Sequence, residues 1–327
     1  MRRKGEQQQV HRDQRRRRII ATAVVCIVSA SMVASAVSAG AAPAEYRGTL
    51  TLARDGANDP FSPRVVVDLD LASGRLEVRF DGFDPHRTRS GETAYITRLA
   101  AGYIADYGVV AADARGVPGA PLYVCKSFSF TSNRICHTPK LSPNGQLVAF
   151  GTAAGGGKLC KNDYNVAWAD YVVVRDRKGA EVARFEGYYY PEWLPDGRLL
   201  MLGSPCRRAG VWVTDRSLRA PTRADGNQVA TPAKLPAVSP DGRRVALVWN
   251  NQVWALTLDG RHELTQLTHA SKPVASAAWS PEGSALAVLL WDVTMPVKSL
   301  LLVRPGDERS ALVRQLPFYP FGPMSWR

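Results

Sequence analysis

Four stretches of this 327-residue chain carry one pattern: Leu141-Ser142-Pro143-Asn144-Gly145, Trp193-Leu194-Pro195-Asp196-Gly197, Val238-Ser239-Pro240-Asp241-Gly242 and Trp279-Ser280-Pro281-Glu282-Gly283. The pattern is turn chemistry. Proline presets φ for the first corner, Asp or Asn bonds the local backbone, and glycine accepts the positive φ that closes the turn. An apolar run leaves each corner: Leu147–Phe150, Leu199–Leu202, Val245–Val248 and Leu286–Leu289. A strand enters and a strand leaves, so each motif marks a β-hairpin. The prolines stand 52, 45 and 41 residues apart, and Trp326 follows Trp279 by 47, where a fifth unit would begin. Recurrence at such a period announces a repeat architecture.

Further strands follow each hairpin. Tyr171–Val174, Val211–Thr214, Val253–Leu258 and Leu300–Val303 are rich in branched residues, and a fourth strand is expected near Val182–Phe185, Glu263–Leu267 and Leu312–Leu316. Four strands in roughly 45 residues is the arithmetic of a propeller blade, and one such sheet must stack on others to bury its faces. Residues 45–138 lack the motif but stay β-like. Arg64–Leu71 and Arg75–Phe80 flank the turn signal Ser73-Gly74, and Ala94–Leu99, Tyr103–Ala111 and Leu122–Phe128 suggest a second sheet. Blades are expected to begin near 93, 139, 191, 236 and 277, and a sixth would join strands from both chain ends. That closure would remove the exposed sheet edges. The expected fold is therefore all-β: a six-bladed propeller of four-stranded antiparallel blades.

The pattern W-S-P-D-G-x-x-Φ-A-Φ resembles the repeat of TolB-like β-propellers, which some serine peptidases share. The likeness covers 139–327. It departs at Leu141 and Val238, where Trp is usual, at Leu194 for Ser, and at Asn144 and Glu282 for Asp. The resemblance implies a six-bladed scaffold outside the cytoplasm with a binding role. TolB proper carries an α/β domain before its propeller and binds the peptidoglycan-associated lipoprotein. Residues 45–138 show no alternating helices, so the resemblance implies the scaffold rather than that partner. A peptidase activity is not implied, because no stretch is left over to form a hydrolase domain.

The formal charge is +13, but residues 1–44 hold eight Lys/Arg against two Asp/Glu. The remaining excess is spread without the basic stripe that nucleic acid needs, which excludes a nucleic-acid partner. Residues 1–44 have a basic start ending in Arg15–Arg18, an apolar run over 19–33 and small residues up to Ala42-Pro43-Ala44. These read as a secretory signal peptide; an uncleaved membrane anchor is the alternative. The propeller domain would then occupy 45–327, acting as a monomer. Beyond the leader remain Cys125, Cys136, Cys160 and Cys206. An even count in an exported chain points to disulfides. Cys125 and Cys136 flank Ser129–Ser132 as a cross-strand pair in a hairpin would, and Cys160 and Cys206, each following a second strand in adjacent blades, are expected to pair on the same rim. The spacing of Cys and His suggests no metal, and no cofactor is indicated.

Catalytic signatures are sparse. There is no G-x-S-x-G. Gly151–Lys158 (GTAAGGGK) has the wrong spacing for a phosphate loop, and Leu159 stands where Ser or Thr should meet Mg²⁺. His86, His137, His262 and His269 are isolated and read as strand or surface residues, and Asp68 and Asp70 as a solvated strand face. Candidate ligand-binding residues are assigned to the rim where second-to-third-strand loops meet interblade loops. They are the aromatics Tyr188, Tyr189, Phe318 and Tyr319, and the cations Lys158, Lys161, Arg207 and Arg208. Such residues are efficient contact groups; the alternative is that the aromatics pack between blades and the cations are ordinary solvated loop charges. The reading is a secreted or extracytoplasmic propeller that binds a protein or cell-envelope component without catalysis. The alternative is a propeller enzyme acting on a glycan or lactone over the central channel.

Overall fold

The computed structural model describes residues 47–55, 64–99, 106–125, 135–153, 171–204, 208–230, 232–291, 298–306, 311–316 and 320–327. These residues form twenty-four strands in six antiparallel sheets of four. The first three, β1 (Thr49–Asp55), β2 (Arg64–Asp70) and β3 (Leu76–Asp81), begin one sheet. β4 (Phe83–Arg87), β5 (Thr93–Arg98), β6 (Tyr107–Ala112) and β7 (Tyr123–Cys125) form the second. β8 (Ile135–Leu141), β9 (Leu147–Ala153), β10 (Tyr171–Asp176) and β11 (Glu181–Glu186) form the third. β12 (Tyr188–Trp193), β13 (Leu199–Gly203), β14 (Gly210–Val213) and β15 (Thr222–Arg223) form the fourth. β16 (Lys234–Val238), β17 (Arg244–Trp249), β18 (Gln252–Thr257) and β19 (Leu264–Gln266) form the fifth. β20 (Val274–Trp279), β21 (Leu286–Leu290), β22 (Lys298–Val303) and β23 (Ala311–Leu316) form the sixth. The last strand, β24 (Pro320–Trp326), pairs with β1, so the first blade is built from both ends of the chain.

The proline–glycine corners join the first strand of a blade to its second. Gly145 N–H donates to Ser142 O at 2.8 Å, and Ser142 Oγ donates to Asn144 Oδ1 at 2.7 Å. The Ser239 corner repeats this, with Asp241 accepting at 2.6 Å and Gly242 at φ +71°. A fifth corner lacks both proline and acid: in Thr88-Arg89-Ser90-Gly91 the two hydroxyls meet at 2.8 Å and Gly91 N–H donates to Thr88 O at 3.0 Å. The second blade therefore starts at Phe83, not near 93; Thr93–Arg98 is its second strand.

The innermost strands carry a second repeat. Asp84, Thr138, Tyr190, Leu235 and Gly322 have φ between 44° and 64°, and each precedes a proline: Pro85, Pro139, Pro191, Pro236 and Pro323. Pairing with the neighbouring strand slips at the same place. Proline is tolerated because these strands are sheet edges facing the axis, and the bulge absorbs the missing donor. The bulge of β24 holds one residue more than that of β12 (Phe321 to Ser325 against Ala53 to Thr51, Tyr189 to Glu192 against Leu202 to Leu200), so Trp326 takes the place of Trp193 and packs in the seam with the preceding blade, where the 47-residue spacing puts it.

Apolar clusters fill the seams between blades. Tyr188, Trp193, Leu199 and Phe185 pack with Val172 and Val174 between the third and fourth, and Trp326, Met324 and Leu50 pack with Leu289 and Leu302 between the first and sixth. The seam between the first and second blades is different. Its apolar group is small (Tyr95, Val110 and Ala112, with Phe80 stacked on Tyr95 at 4.1 Å). Beside it Asp68 is buried and receives Arg87, Arg79 Nε at 3.7 Å and Arg327 Nη2 at 3.4 Å, with Thr51 Oγ1 donating at 2.6 Å. Asp68 is thus no solvated strand residue; Asp70 alone is, bonded to Ser73 in the exposed turn.

Cys125 and Cys136 are joined, with Cα atoms 5.9 Å apart. They lie not in one hairpin but on β7 and β8, the last strand of one blade and the first of the next. Cys160 and Cys206 lie outside the described residues, as do residues 1–46 and the proposed leader.

Candidate functional site

The innermost strands β24, β4, β8, β12, β16 and β20 face one axis. Their side chains divide the channel in two. At the waist, Thr138, Tyr190, Leu235, Ser276 and Met324 leave a space of only about 10 Å³, at most about one water. Beside it Asp84, on β4, accepts from Thr138 N–H at 3.0 Å. Burial raises its carboxyl above the usual range, against that bond and the attraction of Arg64 and Lys140. His137 stacks edge-on against Tyr190 at 5.3 Å and meets Thr138 Oγ1 at 3.0 Å. Burial holds its imidazole down at about 4. Burial, helped by Asp84, pushes the Tyr190 phenol up to about 12.

Below the waist, on the corner side, the channel widens to a cavity of about 330 Å³. The corner prolines Pro143, Pro195, Pro240 and Pro281 form its collar, and His86, Lys140 and Glu192 lie on one wall. These three occupy the place just after the strand proline in adjacent blades, so the bulge repeat is what aims them inward. Lys140 Nζ contacts Glu192 Oε2 at 2.5 Å with both side chains buried, and Glu192 Oε1 accepts from Trp193 N–H at 3.2 Å. His86 Nδ1 accepts from Leu141 N–H at 3.2 Å, which leaves the proton on Nε2, 3.9 Å from Glu192 Oε1. Burial and then the Lys140 charge drive the His86 pKa well below its ordinary value, so the ring is neutral.

The backbone around the cavity is held by indoles. Trp193 Nε1–H donates to Lys140 O at 3.0 Å and Trp279 Nε1–H to Ala237 O at 2.9 Å, each pinning an innermost strand to the preceding blade. The first blade has no corner, and there Arg89 reaches from the second blade to the Pro281 carbonyl of the sixth.

The rim residues chosen from sequence fare differently. Tyr188 and Tyr189 are buried, Tyr189 OH donating to Ala233 O at 3.0 Å and Tyr188 packing edge-on to Trp212. Arg208 is exposed, donates to Tyr188 OH at 2.8 Å and lies over the Tyr188 and Trp212 rings. These three meet at one place on the fourth blade. Lys158, Lys161, Arg207, Phe318 and Tyr319 lie outside the described residues. The channel residues escape sequence reading because no spacing links His86 to Glu192, 106 positions away; the x-Pro-x triplet before each corner is the available signal. Among the described residues no group of three His, Cys, Asp or Glu is placed to hold a metal ion.

No family model and no curated protein matches the chain. Solved structures do. TolB from Acinetobacter baumannii superposes with a TM-score of 0.58 at 13% identity, covering 87% of this chain and 68% of that one. The fold is the TolB-like six-bladed propeller. Residues 47–125 nevertheless supply blade strands from the outset, with no helix among those described. Kuenenia stuttgartiensis hydrazine synthase (TM-score 0.57, 12% identity, 84% of this chain and 46% of that one) and a chain of a nidogen/laminin complex (0.55, 9%, 85% and 97%) share the fold as well. At such identities the likeness concerns architecture, which hosts many functions.

Proposed function

We propose that this chain is an exported TolB-like propeller that binds a protein or cell-envelope ligand at the corner-side mouth of its channel and performs no chemistry there. The cavity carries the reading. Its size falls in the range of ligand sites, its collar is conformationally fixed by proline, and it holds a buried ion pair that a solid core would not need. The disulfide and the leader favour an oxidising compartment outside the cytoplasm.

The enzyme reading draws on His86 beside Glu192. Glycoside hydrolysis commonly needs two carboxyl groups flanking the bond, and Glu192 is the one carboxylate among the described lining residues. It is engaged at both oxygens. That favours binding.

Capture from an envelope fraction tests the proposal. Wild type is compared with Ala237→Phe, which fills the cavity, and Arg208→Ala on the opposite rim. Loss of the captured component with Ala237→Phe alone is expected; loss with Arg208→Ala alone would move the site to the loop rim. Mass spectrometry of the exported protein should find Glu45 at its amino terminus.

A further inference from the structure

Accounting for the donors and acceptors around the cavity narrows what can enter it. Its acceptors are largely engaged. Glu192 holds Lys140 and Trp193 N–H, and the carbonyls of Lys140 and Ala237 hold the two indoles. Ser239 Oγ donates to Asp241 and accepts from Arg244 N–H, and Thr88 Oγ1 meets Ser90 Oγ. The donors are not engaged to the same degree. Lys140 has three N–H bonds and one side-chain partner. His86 Nε2–H faces Glu192 beyond hydrogen-bond reach. Ser325 Oγ accepts from Arg87 N–H at 2.9 Å and keeps its own proton to give. Arg89 has five N–H bonds and a single acceptor, the Pro281 carbonyl.

Charge points the same way. Lys140 and Glu192 cancel, and Arg87 is matched by Asp68, which Arg79 and Arg327 also share. Among the described residues Arg89, at the mouth, has no carboxylate partner. A donor-rich cavity with a guanidinium at its entrance, framed by low-dielectric walls, attracts anions. The rest of the wall is apolar: Pro195, Pro240, Val238, Ala278 and Met324.

We infer that the cavity takes an organic carboxylate with a compact apolar body. The carboxylate would be received by Lys140, His86 Nε2–H, Ser325 and Arg89, and the body by the proline collar. This rests on the channel reading above and adds the ligand's class. The carboxylate can come from a free acid or from the carboxyl terminus of a peptide.

Tryptophan fluorescence and calorimetry of the whole exported chain test it. The probes are 3-phenylpropionate, its alcohol and its ammonium counterpart, and N-acetyl-Ala-Phe with a free or amidated carboxyl end. The acid, the free-ended peptide or both should bind, and their alcohol, ammonium and amide counterparts should not. Arg89→Gln should weaken binding about tenfold, the scale of one charged hydrogen bond. Arg89 is exposed and the ring is closed by the β24–β1 pairing rather than by its bond to Pro281, so this variant keeps the fold. Lys140→Met should weaken binding at least as much. Binding of acid alone assigns a free ligand; binding of the free-ended peptide alone assigns a protein terminus. Equal binding of acid and alcohol, no binding of any probe, or indifference to Arg89→Gln would overturn the assignment. Envelope capture with Ala237→Phe reports separately on the channel as a site.

Discussion

At the waist of the channel a single missing side chain makes room for a titratable one. A Cβ on Gly151 would fall within the imidazole of His137, and the ring so seated is held at about 4 by burial. His86 is depressed as well, by burial and by Lys140. A histidine whose folded pKa lies below its unfolded value stays neutral in the fold while the unfolded chain takes up a proton. Stability is then complete above about pH 6.5 and falls as pH drops towards about 4. For His137 alone the span corresponds to about 3 kcal/mol. Asp84 acts with the opposite sign, since its raised carboxyl is easier to keep protonated, and offsets part of the loss at the acid end. Urea unfolding at about pH 7 and about pH 4.5 should show a large loss for wild type and a smaller one for His137→Phe, whose ring still packs on Tyr190. Equal losses would remove His137 from the account.

Among the elements, the corners were readable because their chemistry is local. Proline, a short acceptor and glycine dictate the turn wherever it sits, so the hairpins at 142, 194, 239 and 280 fell where expected. The strands entering those corners were less plain. A proline inside an apolar run ordinarily demotes it, and Phe83–Arg87, with Asp84, Pro85 and His86 in five residues, gives no strand signal at all. Only the axis, which turns an edge strand inward, makes that sequence a strand. The cysteine pairing was legible from spacing, but the blade boundary between Cys125 and Cys136 was not. That boundary changes what the bond does. It ties the last strand of one blade to the first of the next, where β7 contributes only three residues. Replacing both cysteines by alanine should lower stability by about 2–4 kcal/mol. Thermal unfolding with and without reductant reads this: reductant should shift wild type by more than it shifts the double variant, which keeps Cys160 and Cys206. An unshifted wild type would deny the staple a role.

The whole ring closes at two kinds of joint. Between β24 and β1 the closure is by strand pairing, from Leu50 opposite Trp326 to Arg54 opposite Pro320, and the alternation of the repeat foretold it. Between the first and second blades it is ionic, and nothing in the sequence pointed there. Asp68 and Asp70 alternate as any solvated pair would, and Arg327, 259 positions away, helps to bury one of them. Removing one partner of a buried ionic group strands the others, and three guanidinium groups meet on Asp68. Asp68→Leu should therefore destabilise the protein by about 3–5 kcal/mol. Pairing it with Arg87→Met replaces the buried ion pair by apolar contact and should recover much of the loss. Arg79 retains Glu77 at 2.8 Å in both variants and Arg327 is partly exposed to water, whereas Arg87 is buried, so the recovery reports on Arg87. Denaturant unfolding of the two single variants and the double variant forms the cycle. A loss below about 1 kcal/mol for Asp68→Leu, the value of a surface pair, would mean that the apolar stack of Phe80 on Tyr95 holds this seam without the ions.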